Sequence, residues 1–157
     1  MADPATPAAL TTEGLVLKAA ILGVRADRST FKRMWHGRNA HRAVAEARER
    51  SPDHPRALVQ HGILMLHTPA SFGGGPDAAQ PILERARAAL DREANRDASG
   101  GGLSWGWLDA SVWLGQALAA GGDHARARVV YTETLAREPE MGWIRNELLP
   151  ALDGDDD

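Results

Sequence analysis

Cysteine is absent from the chain, which removes disulfides, thiolate metal clusters and cysteine nucleophiles together. Lysine is nearly absent too. Lys18 and Lys32 stand among 18 basic residues, and with so much Ala and Gly the arginine bias looks like codon usage rather than a site. A long apolar run is also missing. Gly14 to Val24, the longest near the N-terminus, is broken by Lys18, preceded by Asp3 and Glu13, and has no positive leader. Neither a signal peptide nor a membrane span is expected from it, so the expectation is a cytoplasmic protein without membrane partners. Export of a processed chain is the alternative. No segment alternates apolar and polar residues with period two, so no strand is expected.

What remains is a chain of 157 residues, 43% hydrophobic and 25% charged, enough for one domain with a real core. Its net charge is -3, unevenly spread. Between Arg25 and Arg50 eight basic residues, including Arg28, Arg33, Arg38, Arg42 and Arg48, face three acidic ones, a balance of +5. From Glu138 to Asp157 seven acids face Arg145 alone, a balance of -6. Such polarity steers an anionic partner or favours head-to-tail association; a solvated helix face with an acidic tail over 151–157 is the plainer reading.

Helical patterning predicts an all-α chain. Met1 to Thr11 reads as a disordered arm. A first helix is expected over Glu13–Arg25, a basic connector over Ala26–His36, and a second helix over about Arg38–Arg50. Pro55 opens a third, to about His67, in which Leu58, Val59, Ile63, Leu64, Met65 and Leu66 leave almost no polar face. Thr68 to Gly75 breaks helix. Asp77 caps a fourth helix, to about Arg92, and a polar connector from Glu93 to Ser104 follows. Two more are expected over Leu108–Ala120 and His124–Arg137, the second ended by Pro139. A short capping helix over 142–150 stops at Pro150.

The spacing repeats. The 34 residues from Leu108 to Met141 contain Gly115 and Ala127, small enough for close helix approach, Leu118 and Tyr131 to fill the seam, Gly122-Asp123 for the turn, and Pro139 as terminator. These residues resemble the tetratricopeptide repeat (TPR) family, with Ser111 in place of the first large aromatic and Thr134 in place of a small Ala. The same frame places Gly62, Ala79, Leu83 and Ala86 in a middle repeat. Gly62 to Ala79 spans 17 residues against 12 for Gly115 to Ala127, so the loop holding Phe72 carries an insertion. With Thr68-Pro69, Trp105-Gly106 and the closing Trp143 to Pro150, the chain is similar to a bacterial subgroup of TPR proteins. The resemblance implies an α-α superhelix of about three hairpins (repeats about 13–54, 55–93 and 108–141) whose first helices line a concave face. It implies partner-binding positions at Arg56, Val59, Ile63, Leu66 and His67, and at Asp109, Val112, Gln116, Ala119 and Ala120. The Lys and Asn residues that hold a terminal carboxylate in chaperone-binding members are missing there. The expected function is therefore a non-enzymatic scaffold taking an apolar peptide or partner helix, or a second copy, in that face.

Chemistry-bearing patterns are sparse. The six histidines (His36, His41, His54, His61, His67, His124) are never three or four apart, against a zinc helix, so neither metal nor cofactor is expected. The clusters Gly73–Gly75 and Gly100–Gly102 lack the Lys-Ser or Lys-Thr of a phosphate loop. No paired carboxylates or nucleophile elbow suggest a catalytic residue, and an enzyme is not expected. The tryptophans Trp35, Trp105, Trp107, Trp113 and Trp143 suit core packing, with surface recognition open for the loop pair Trp105 and Trp107. The alternative function is binding of nucleic acid or another anionic partner through segment 25–50, although few aromatics interleave there and the chain is acidic.

Overall fold

The computed structural model describes residues 7–24, 30–97 and 105–154. Met1 to Thr6, the basic residues Arg25 and Arg28, the Gly100–Gly102 cluster and the closing Asp155 to Asp157 lie outside the described residues. Within 30–37 the helix is described but its side chains are not, which covers Lys32, Arg33, Trp35 and His36.

Among the described residues every regular element is helical: α1 (Pro7–Val24), α2 (Thr30–Arg50), α3 (Pro55–His67), a 3-10 turn (Ala70–Phe72), α4 (Pro76–Asp97), α5 (Trp107–Ala120), α6 (His124–Arg137), a π-helical stretch (Ile144–Leu148) and one further turn, α7 (Leu149–Ala151). Local chemistry sets several ends. The His54 imidazole accepts from the Ala57 amide at 3.4 Å and Pro55 fills the first turn of α3, while the Thr68 hydroxyl closes it by donating to the Leu64 carbonyl at 2.7 Å. Asp123 caps α6 by accepting from the Arg126 amide at 3.1 Å. Gly106 enters α5 at φ 97°, a backbone position that a side chain would strain.

Three boundaries differ from the sequence expectation. Helix α1 begins at Pro7, because proline suits a first helical turn and Ala8, Ala9 and Leu10 are good helix formers, so residues 7–11 are not a loose arm. Helix α2 begins at Thr30, so most of the expected connector is helix; Gly37 costs only about 1 kcal/mol there. Helix α4 runs to Asp97, because the polar residues after Arg92 are compatible with a solvated helical turn. At the other end the chain does not stop at Pro150. The amide of Leu149 bonds to the Ile144 carbonyl five residues back, and this widened turn admits the proline, whose missing N–H would interrupt a regular helix. Leu152 is then buried and Asp153 pairs with Arg128, so the start of the acidic tail belongs to the fold.

The helices pair in order: α1 packs on α2, α3 on α4 and α5 on α6, and α3 and α4 each also meet the following pair. Thr12 at the start of α1 faces Ser51 just past the end of α2, so the pair is antiparallel. The same relation recurs in the next two pairs. A β-carbon at Gly62 of α3 would overlap Leu83 of α4, and one at Gly115 of α5 would overlap the Tyr131 ring of α6. The largest core cluster joins Ala79, Leu83, Val112, Leu118, Ala127, Tyr131 and Ile144; smaller ones join Leu58, Val59, Ala86, Leu90 and Ala110, then Val16, Ala47 and Ala57, then Ala19, Ala43 and Val44.

Candidate functional site

The partner-binding positions named from the sequence fall into two groups. Arg56, Val59 and Val112 are buried, the valines inside the core clusters. Ile63, Leu66 and Gln116 are half-buried, and His67 and Asp109 are exposed. The open group spans α3 and α5. There the His67 ring meets Trp113 edge to face, with centroids 5.4 Å apart, while Leu66 packs its inner side on the main core. Gln116 leaves its Nε2 shielded and without a partner. Partial burial raises the Asp109 carboxyl above its usual pKa. Phe72 does not cover this face: it is 81% exposed, on a turn closed by Gly73 and Gly74 amide bonds to Ala70 and Pro69.

Arg56 belongs to another constellation. Its Nη1 lies 3.4 Å from Glu13 Oε1 of α1 and 3.1 Å from Glu93 Oε1 of α4, and its Nε donates to the Trp105 carbonyl at 3.1 Å. The guanidinium stacks 5.1 Å from the centroid of the Trp105 ring. Glu13 also meets His54 Nε2 at 3.2 Å. Burial lowers the His54 pKa, against the opposing pull of Glu13. The one cation in an apolar helix was the sequence signal for this knot. Glu13 and Glu93 carried none, because they are 80 residues apart.

A third constellation lies along α4 and α6. Arg87 pairs with Glu133 at 2.7 Å, Arg126 with Glu84, and Arg137 with Asp91 at 2.7 Å. Trp107 sits between Arg87 and Arg137, 5.3 and 4.3 Å from its centroid, and its indole N–H donates to Asp91 at 3.0 Å. Both tryptophans left open for surface recognition are thus half-buried and engaged within the fold. The groove above this seam, about 560 Å³, is lined by the same paired charges with Ala88, Leu114, Val129 and Val130. Among the described residues no three His, Asp or Glu side chains come together to hold a metal ion, and no helix is long and apolar enough to cross a membrane. Compared with known protein families, curated proteins and solved structures, the chain matches none.

Proposed function

We propose that this chain is a TPR-like helical repeat protein acting as a non-enzymatic interaction scaffold. Its ligand is an apolar peptide segment or partner helix, taken up on the face where α3 and α5 run side by side. The observation that carries this reading is the uncovered pairing of His67 and Trp113 beside Leu66, with Ile63 and Gln116 on the same two helices. An aromatic held by a neighbouring ring is a ready anchor for an apolar side chain. The repeated close approach of Gly62 to Leu83 and of Gly115 to Tyr131 supports the TPR-like assignment. The buried members, Arg56, Val59 and Val112, hold the face in shape rather than touch the ligand. The reading assigns no catalytic step, metal or cofactor, and a cytoplasmic, bacterial setting remains part of the proposal.

Selection from a random peptide library tests it. Apolar peptides are expected to emerge, with binding lost in His67→Glu and in Leu66→Asp and retained in Val129→Ser, which alters an exposed apolar residue on α6. Circular dichroism of each variant separates lost binding from lost fold. Peptides that bind His67→Glu and Leu66→Asp as tightly as the unaltered chain would place the ligand elsewhere.

A further inference from the structure

The first helix pair carries apolar residues on its outer surface. Gly14, Leu17, Lys18 and Ile21 recur at helical spacing and form one stripe along α1. Val16 and Ala19, on the other side of that helix, are buried against α2 and α3, whereas Leu17 and Ile21 are 51% and 54% exposed. Gly14 has no role inside the fold: it sits within α1, and a β-carbon there would meet nothing within 4 Å. Glycine is unfavourable inside a helix, and a surface that must approach the backbone closely accounts for it. Beyond the last pair, Trp143 is 43% exposed. Its indole N–H donates to Glu147 at 3.1 Å, so the exposed part of the ring is apolar, and the adjacent Ile144 anchors the turn in the main core.

The charges around these two patches are of opposite sign. Lys18 stands within the stripe, and Arg42 is level with Ile21, because Thr12 faces Ser51 and Ala19 packs on Val44 in the antiparallel pair. Lys18, Arg38 and Arg42 are exposed and, among the described residues, take part in no ion pair; Glu49 is the one exposed acid of α1 and α2 there. Around Trp143 the acids Glu138, Glu140 and Glu147 are likewise exposed and outside any ion pair, beside Arg145, which donates to the Pro139 carbonyl. Between the ends, Arg87, Arg126, Arg128 and Arg137 each pair with an acid of the same chain.

We propose that the chain associates head to tail with copies of itself, the Trp143 indole of one copy seated on the α1 stripe of the next, over Gly14 and against Leu17 and Ile21. Glu138, Glu140 and Glu147 then face Lys18, Arg38 and Arg42. An aromatic ring on aliphatic side chains makes an interface anchor, and opposite charge around it sets the orientation. Because the two patches differ, every assembly keeps one free patch of each kind, and growth continues past the dimer. The contact is small, so association is weak, reversible and sensitive to salt. The peptide face of α3 and α5 takes no part in it, so the two readings fail separately.

Sedimentation velocity of the full chain tests this. The average mass is expected to rise between about 10 µM and about 500 µM protein at low salt, and to fall back in about 500 mM salt. Leu17→Glu/Ile21→Glu and Trp143→Ser, all at exposed positions, should each stay single chains when alone. Mixed, they should form a dimer and nothing larger, since each supplies the patch that the other lacks. Glu138→Lys/Glu140→Lys takes the place of Trp143→Ser should circular dichroism show that variant unfolded. Gly14→Gln should raise the melting temperature yet weaken association, whereas Phe72→Ser, an exposed apolar residue between α3 and α4, should leave association unchanged. A mass that stays at one chain throughout, as when another segment or another protein covers α1, would overturn the proposal. So would undiminished association of the folded Trp143→Ser chain, or a mixture of the two variants that stays monomeric.

Discussion

Burying a guanidinium to 3% exposure is unfavourable unless every face of it is answered, and Arg56 is answered by two carboxylates, a carbonyl and an indole ring. Arg56→Met should therefore cost about 3–5 kcal/mol, toward the lower end because Glu13 and Glu93 keep 17% and 26% side-chain exposure; urea unfolding measures it. Gly115→Ala places a methyl into the Tyr131 ring, and Ala127→Leu overfills a position with no exposure, so each should lose about 1–3 kcal/mol in the same assay. An unchanged midpoint in both would mean that α5 and α6 do not meet at these residues. Tyr131 reports on the same contact. Burial pushes its phenol up to about 12, so phenolate absorbance should rise only well above the ordinary tyrosine range. Because the folded chain resists ionisation, its stability is full below about pH 10 and declines from there toward about 12.

Among the elements, α3 carries the pH dependence. His54 and His61 both have lowered pKa values, chiefly from burial, and both lie on the side of α3 that meets the first pair. Below about pH 6.5 the unfolded chain binds protons at these sites that the folded chain refuses, at His61 down to about 4, so stability present above about pH 6.5 is lost as pH falls. A protonated His54 can no longer accept from the Ala57 amide, which also removes the α3 cap. The melting temperature is expected to fall across this range, and less steeply in His54→Gln/His61→Gln. How legible the elements were follows from the same physics. Helix existence was readable because apolar spacing and the Pro and Gly breaks are local, and the glycine contacts were readable because a small residue opposite a large one recurs. The start of α2 and the end of α4 were not, since Thr30 and Glu93 lie in polar stretches where sequence alone does not separate helix from loop. The charge knot was hidden by distance along the chain. Of the residues named for partner binding, Arg56 is buried by groups from α1, α4 and Trp105, and Val59 and Val112 by core clusters that join several helices, packing facts that spacing within α3 and α5 does not encode.

For the whole molecule, order along the chain becomes order in space, because each helix touches mainly its neighbours in sequence. An array of that kind melts from its ends, one unit at a time, unless something couples distant units. Arg56 supplies such a coupling: from α3 it reaches α1, α4 and the segment just before α5. One side chain thus makes the loss of the first pair felt by the third. Its consequence is cooperativity. The unaltered chain should absorb heat in a single calorimetric transition, whereas Arg56→Met should show an earlier, separate event as α1 and α2 leave. Amide exchange in that variant should rise first in α1 and α2 while α5 and α6 stay protected. A knot that looks like local stabilisation thereby decides whether three hairpins behave as one thermodynamic unit or as a sequence of smaller ones.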